Sequence, residues 1–503
     1  MDPLDPLYRQ VPSYCPEHDG IFWLLKSSDD RGIALDDQVH RVWTAFDGRP
    51  TSDVIGTLRT ESDASPSFVK STTKVLARAG LLVPSLPLDS LDRSSSPSAS
   101  ASSSVPLVSV IIVAGRQARV HLETCLPSVL AQTYPCLEVI LVDNQTTDDS
   151  VAFTGENFPQ VELIRLSRPV GFGAANNLAM RQARGEFYFL LNDDTELEPD
   201  CIAECVRKMT RSDDIAAVVP KMKLFYLRDF INSMGTSVHA NGESYDNFTG
   251  YLDVGQFDNT DQVFTACFGA ALLRRSVVEQ IGYIDENYVF YYEDSDWSFR
   301  ARLAGYAIVA APHAVVYHKF NATMNTLPSA FKANLVAHNR LRFIWKNFEL
   351  GRALKFSCLY RREDCRKIAL ARKREKYEVA EAYRQGWRRW LRSLPRLMLA
   401  RYRTRGLRRA ASADDPLFEL AEGMPPPAMY GPHPVISAAH IRTHYIGLEM
   451  FKPGPSISTM YSTTAPPHRT TAPSLSLFKM AQRIVREEGL LGLMGQAWRY
   501  LRC

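Results

Sequence analysis

Between residues 107 and 350 the apolar positions of the chain change their spacing again and again. Leu107–Ala114 is a continuous apolar run, the right length for a buried strand and too short for a membrane span. From His121 to Gln132, Leu122, Cys125, Leu126, Val129 and Leu130 recur at helical spacing. Leu137–Val142 returns to strand character and stops at Asp143, and Val161–Leu166 predicts a third strand. A helix over 174–184 follows, then a fourth strand, Phe187–Leu191, which stops at Asn192-Asp193-Asp194-Thr195. This β-α-β-β-α-β order predicts an α/β domain over 107–350 with an open, mostly parallel sheet and helices on its faces.

The flanks have different textures. Residues 88–106 are serine-rich and predict a flexible linker. Before it, over 1–87, two short apolar segments around Trp23 and Ile33 read as strands. Three short helices follow, one carrying Val39, Val42 and Trp43, one starting near Thr51, and one ending at Gly80 as a C-cap. Two strands and three helices make a winged-helix pattern. Beyond the central domain, 351–412 reads as basic amphipathic helices broken near Pro395, 413–475 as a Pro/Thr-rich linker, and 476–503 as an amphipathic helix.

The chemistry should gather where strands end, because open parallel sheets bind ligands outside their carboxyl edge. Asp143 and the pair Asp193-Asp194 close two such strands and should face one crevice. Paired acids suit a hard divalent cation, which then neutralises a diphosphate. Gly171-Phe172-Gly173, with Asn177 beyond, opens a helix. It reads either as a phosphate cradle at a helix start or as a tight turn, and it lacks the dinucleotide fingerprint. Tyr291-Tyr292-Glu293-Asp294-Ser295-Asp296-Trp297 interleaves acids with aromatics. That points to a half-buried carboxyl tuned for base work, or to a solvated helix start. His318 ends an apolar run and reads as a core histidine or as a metal ligand beside the acids.

Together these segments resemble a family 2 glycosyltransferase of the GT-A fold, rhamnosyltransferase-like in type. The resemblance rests on Val108–Val113, Ala131–Pro135, Glu138–Asn144, Gly171–Asn177, Gly185–Thr195, Gly269–Leu273, Tyr291–Trp297, Arg300–Gly305 and His318. It implies a nucleotide-sugar site of Asp143, Gly171, Gly173, Asn177 and Asp193, with Asp143 at the base and Asp193 by the ribose and diphosphate. It implies Mg²⁺ or Mn²⁺ on Asp194 and His318, Asp294 as catalytic base, and Glu293, Asp296 and Trp297 on the acceptor side. The implied reaction is a single inverting displacement on a UDP-, dTDP- or GDP-linked sugar, and the absence of the Gln-x-x-Arg-Trp motif of processive synthases after Trp297 predicts single or few additions. The loop Val113–Gln117 lacks the family's usual aromatic-Asn pair, so the nucleotide stays open. Residues 1–87 resemble a PqqD-like domain, which implies delivery of a precursor peptide as an alternative to a glycan or lipid-linked acceptor. A binding scaffold without turnover is the remaining alternative, and the complete set of acids with His318 weighs against it.

Charge changes the picture only once it is divided. The chain carries 59 Lys or Arg and 55 Asp or Glu, a net +4. Residues 352–409 hold 20 basic and 5 acidic residues, a local +15, which leaves −11 for the rest. Tyr383, Trp387 and Trp390 interleave with these arginines. Such a segment either lies on an anionic membrane surface or packs on the catalytic domain with a solvated basic face. No nucleic-acid motif accompanies the charge. The acidic start without an apolar core does not read as a secretory signal, and nine cysteines with no CxxC pair and no zinc-type spacing predict reduced thiols in the cytoplasm, with the protein at most peripheral to the inner membrane face.

Overall fold

The computed structural model describes residues 7–10, 15–18, 21–26, 32–62, 64–79, 81–84, 105–319, 328–408, 418, 421, 424–430 and 433–445. The expected linker 88–106 lies outside these apart from its last two residues, and the Gly80 cap and the helix over 476–503 lie outside them entirely. The described residues of 1–87 and 428–503 form one compact unit, and those of 88–427 form the other.

The first unit contains β1 (Leu7–Gln10), β2 (Cys15–His18), β3 (Trp23–Lys26), β4 (Gly32–Leu35), α1 (Asp37–Thr44), β5 (Asp47–Pro50), α2 (Thr51–Ser62), α3 (Pro66–Arg78) and β6 (Leu82–Pro84). The two expected strands and three helices are present, with four further strands. Asp36 caps α1 by accepting from the Val39 amide at 3.0 Å, so the helix starts where the strand stops. Part of the expected 413–475 linker folds here instead. His433–Ile436 pairs in parallel with β4, and Met429–Tyr430 pairs with it in turn. Val435, Ile436, Ile441 and Tyr445 are buried, and Ala438 donates its amide to Asp36 at 2.7 Å. A four-residue strand among prolines carries too little periodicity to be read locally, and its partner lies some 400 positions away in the chain. The outer edge of β4 is thereby covered by the chain's own backbone.

The second unit is built on β7 (Val108–Ala114), α4 (Arg119–Leu130), β8 (Leu137–Asp143), α5 (Ser150–Asn157), β9 (Glu162–Arg165), α6 (Phe172–Gln182), β10 (Phe187–Asn192), β11 (Thr195–Leu197), α7 (Cys201–Met209), β12 (Ile215–Leu224), β13 (Leu227–Ser233), β14 (Thr236–Val238), β15 (Ser244–Asp246), β16 (Ala270–Arg274), α8 (Arg275–Ile281), α9 (Glu293–Leu303) and β17 (Ala307–His318). Its main sheet has the order β11-β17-β12-β16-β10-β7-β8-β9, with β13 hydrogen-bonded to β12. The half expected from the sequence, β10-β7-β8-β9, is parallel throughout. The other half is mixed: β16 runs antiparallel to both neighbours and β11 antiparallel to β17. Val108, Val110 and Ile112 bury one face of β7 against Leu122, Leu126 and Val129 of α4. Each such side chain is worth about 1.5–3 kcal/mol. Both faces of these strands are covered, which is why they read as unbroken apolar runs rather than alternating ones.

Three helices complete this unit: α10 (Ser329–Asn347), α11 (Leu350–Lys373) and α12 (Tyr377–Arg405). The basic segment therefore packs within the second unit. Trp387, Trp390 and Leu397 join Phe299, Phe343 and Phe348 in a second core. Gly386 permits the close approach, since a Cβ there would sit 2.8 Å from Ala337 and from the Asn334 carbonyl. The expected break at Pro395 is absent, because buried Trp390 and Leu397 hold the helix on both sides of it. The break falls at 374–376, where Glu375 takes φ 57°. The opposite face of α12 leaves Leu391, Leu399 and Tyr402 exposed among arginines.

Candidate active site

A cleft of about 450 Å³ opens at the carboxyl ends of β7 and β10. Its walls come from the 192–194 turn, His318 at the end of β17, the β14–β15 hairpin and the first turn of α9.

Register brings the first group together. Thr195 of β11 pairs with His318 of β17, so the residue before Thr195 faces the imidazole. Asp194 Oδ1 lies 3.2 Å from His318 Nε2. That oxygen is buried, and the imidazole is its polar neighbour. His318 Nδ1 lies 2.7 Å from Asn232 Oδ1 and donates to it, which orients the ring and aims Nε2 at Asp194. Burial alone would raise the Asp194 pKa, but the imidazole outweighs it and the group is lowered. The His318 pKa is raised: burial opposes this, and Asp194 and then Asp246 prevail. Asp193 accepts from the Gly115 amide at 3.0 Å and is pushed up to about 7 by burial and by Asp194. A buried carboxylate oxygen beside an oriented imidazole nitrogen is a donor pair that fits a divalent cation. Among the described residues no group of three or more metal-binding side chains forms a complete cage.

The second group depends on an unusual backbone. Tyr291 and Tyr292 both take positive φ, 68° and 73°. Each such residue costs about 1–3 kcal/mol. Asn339 of α10 holds the turn, its amide donating to the Phe290 carbonyl at 2.7 Å and to that of Tyr291 at 3.1 Å. The Tyr292 hydroxyl donates to the Gly242 carbonyl at 3.2 Å. The turn launches α9 so that Glu293 and Asp294 line the cleft. Asp294 Oδ1 accepts from the Ser295 amide at 2.5 Å and its hydroxyl at 3.1 Å. Burial, helped by Asp246 and opposed by Ser295, pushes Asp294 up to about 6. Burial and Asp294 push Glu293 up to about 8, and its Oε2 has no hydrogen-bond partner among the described residues. These values leave Asp294 mostly ionised and Glu293 mostly protonated at neutral pH.

The remaining sequence expectations divide. Asp143 ends β8 beside the cleft, with Oδ1 bound by the Thr146 amide and hydroxyl at 2.8 and 2.9 Å. Gly171 and Gly173 do not open on the cleft, and Phe172 lines it instead. A Cβ on Gly171 would lie 3.1 Å from Val289 Cα and one on Gly173 2.6 Å from Ile284, so both glycines let α6 approach the 284–289 segment. Asn177 is spent on that same segment, donating to the Ile284 carbonyl at 2.8 Å and Glu286 at 2.9 Å and accepting from the Ile284 amide. Asp296 and Trp297 are corrected too, for each has a relative exposure of 0%. Asp296 pairs with Lys346 at 2.8 Å and Arg300 at 3.1 Å beneath α9, and Trp297 packs near Phe268. Neither can face an acceptor. Sequence reading missed Asp246, Asn232 and Asn339. The first two lie in the 225–265 stretch, which carries no motif, and Asn339 sits on a helix beyond the matched segments.

Residues 109–282 match the profile of Glycosyl transferase family 2. The N-acetylglucosaminyl-diphospho-decaprenol L-rhamnosyltransferase of Mycobacterium tuberculosis is 25% identical over 247 residues, 45% of this chain and 79% of that protein. The O-antigen biosynthesis protein RfbC of Myxococcus xanthus is 28% identical over 217 residues, 40% of this chain and 16% of that protein. Among solved structures, a mannosyltransferase of Pyrobaculum calidifontis in complex with GDP-Man and Mn²⁺ aligns with a TM-score of 0.38 and 15% identity, covering 70% of this chain and 99% of that one. The chain spans a quarter or less of the length of the first curated relatives it matches. The matched segment holds the parallel half of the sheet and the acid-bearing 192–194 turn, so the similarity to that family falls on the residues that build the cleft.

Proposed function

We propose that the cleft transfers one sugar from a nucleotide sugar to an acceptor hydroxyl by a single inverting displacement. Asp294 takes the acceptor proton as the O–H bond breaks and the new C–O bond forms. The bond from the anomeric carbon to the diphosphate breaks in the same step, and its electron pair leaves with the nucleoside diphosphate. Asp194 and His318 would hold a divalent cation, which would supply charge neutralisation for that leaving group. Asp193 lies by the ribose and diphosphate, Asp143 meets the base through its Oδ2, and protonated Glu293 donates to the acceptor side. The carrying observation is Asp294, a carboxyl raised to about 6 in the same cleft as the oriented Asp194–His318 pair. A base near the operating pH is worth roughly 10²–10⁴-fold in rate.

The acceptor is a glycan or lipid-linked glycan. The exposed apolar and basic face of α12 supports approach to an anionic surface. Among the described residues no helix is long and apolar enough to cross a membrane. Peptide delivery by strand addition gains no support at β4, whose outer edge is already paired.

The test is release of nucleoside diphosphate from UDP-, dTDP- and GDP-sugars with Mg²⁺ or Mn²⁺ and candidate acceptors, for the native protein and Asp294→Asn. The variant should lose roughly 10²–10⁴-fold in turnover and bind nucleotide within about twofold of the native protein by calorimetry. Full turnover by folded Asp294→Asn removes the base assignment. No release from any donor by the native protein removes the transferase reading.

A further inference from the structure

The cleft contains one carboxylate that no sequence motif announced. Asp246 ends β15, directly across from Thr236 of β14 in the hairpin. Its neighbours tie it to both halves of the site. On one side Ser233 Oγ lies 3.5 Å from Asp246 Oδ1, and the adjacent residue, Asn232, is the group that orients His318. On the other side Ser244, two residues along the same strand face, places its Oγ 3.4 Å from the Ser295 hydroxyl, which itself donates to Asp294. Asp246 therefore stands on the wall between the base and the metal-binding pair. A sugar undergoing displacement must occupy that interval, with its anomeric carbon between the acceptor oxygen and the diphosphate.

The hairpin is rigid enough to read a shape. Thr236 and Thr265 exchange backbone hydrogen bonds at 3.0 Å in each direction. Buried Ser237 donates to Asn247 at 2.6 Å, and buried Thr249 donates to the Asn232 carbonyl at 2.6 Å. The Thr236 hydroxyl lies 3.3 Å from Asp246 Oδ1 and sets the carboxylate's rotamer. Oδ1 thus accepts from the Thr236 hydroxyl, the Ser233 proton going instead to the Gly235 carbonyl at 2.9 Å, and no described hydrogen bond reaches Oδ2. A carboxylate with one oxygen anchored and the other open suits an acceptor for sugar hydroxyls, which are donors in need of a partner once water is excluded.

We propose that Asp246 is the specificity-determining residue of the transfer, accepting hydrogen bonds from hydroxyl groups of the donor sugar. This rests on the transferase reading above. Asp246 selects donors that carry a hydroxyl toward the hairpin and disfavours deoxy sugars lacking it, because the missing donor leaves a half-buried carboxylate unpaired.

The test uses the full chain, an accepted nucleotide sugar, and its monodeoxy analogues at each ring position. For the native protein one analogue should lose roughly 10–100-fold in kcat/KM, the range of a hydrogen bond to a charged group. In Asp246→Ala the same analogue and the parent sugar should differ by less than about threefold, with nucleoside diphosphate affinity unchanged. Asp246→Asn, close in shape, and Thr236→Val, which frees the rotamer, should give intermediate discrimination, and they carry the test if the alanine variant does not fold. Discrimination as strong in the Asp246 variants as in the native protein overturns the assignment while leaving transfer intact. So does loss of turnover with every donor in folded Asp246→Asn, which would place Asp246 in the chemistry itself. A native protein inactive with all donors overturns the transferase reading, and this assignment with it.

Discussion

Asp294 and Asp296 are two residues apart on α9, about 200° around the helix from one another, and their surroundings are opposite in kind. Asp294 lines the cleft with Glu293, Asp193 and Asp246, and its pKa is raised by burial. Asp296 faces α10, where Lys346 bridges it to Asp285 with 2.8 Å contacts to each. Arg300 and Asn347 also hold Asp296, and Arg342 holds Asp285 at 2.7 Å. Asp285 is consequently held far below the ordinary carboxylate range, because Lys346 and Arg342 outweigh its burial. One helix thus has a face whose charges are all paired and a face whose acids have almost no protein cation. The paired face fixes α9 in place. The unpaired face opens on the cleft.

The largest expected effect separates the two acids by what each loses. Asp294→Asn should abolish transfer by roughly 10²–10⁴-fold in a protein with native circular dichroism and an unchanged or higher melting temperature. Asp296→Asn should do the reverse, costing roughly 3–5 kcal/mol of stability by leaving Lys346 and Arg300 with an unbalanced buried charge. The folded fraction should keep most of its turnover. Denaturant melts and single-turnover assays on both variants check this, and an Asp296→Asn protein of native stability would falsify the clamp.

How much of this was visible in the sequence follows from the same geometry. Asp193, Asp194, Asp294 and His318 were legible because strand ends and helix starts project their residues to one edge of an α/β sheet. Asp296 and Trp297 were read as acceptor-side groups because they are adjacent in sequence to Glu293 and Asp294, and a linear motif hides the rotation between positions. Gly171, Gly173 and Asn177 looked like a phosphate cradle, yet their partner is the 284–289 segment more than 100 residues away. Asp246 carried no signal, since its surroundings are set by Ser233 and Thr236 on other strands and by Ser244 on its own. The fold divides similarly. Local periodicity gave the parallel half of the sheet, whereas the mixed half and the pairing of His433–Ile436 with β4 depend on distant partners.

The next effect is on pH. Asp294 must be ionised to accept a proton, and its pKa stands at about 6. Turnover per free enzyme should therefore fall tenfold per unit below about pH 6. Removing Asp246, which contributes to that raised value, should move this acidic limb downward. A limb that stays in place in Asp246→Asn would show that the cleft acids do not share a field.

The smallest effect tests the cost of the open face directly. A carboxyl raised from an unfolded value of about 3.9 to a folded value of about 6 favours folding only through its protonated form. That contribution is fully present below about pH 3.9 and is lost as pH rises through about 6. At pH 7.5 ionised Asp294 thus opposes folding, by about 1–3 kcal/mol. Asp294→Asn removes the charge and keeps the shape, so it should be more stable than the native protein at pH 7.5, with the gain shrinking toward zero near pH 4. Asp285 has the opposite sign. Its lowered pKa contributes stability above about pH 3.9 that is lost as pH falls through the folded value. Asp285→Asn should therefore be destabilised at neutral pH, with the deficit narrowing in acid. Melting curves of both variants from pH 4 to 8 should show two differences of opposite sign at neutral pH, the Asp294→Asn gain shrinking toward pH 4 while the Asp285→Asn deficit stays nearly constant across that window. Two differences of the same sign would mean that the cleft acids are stabilised by the fold, and that the contrast between the two faces of α9 does not hold.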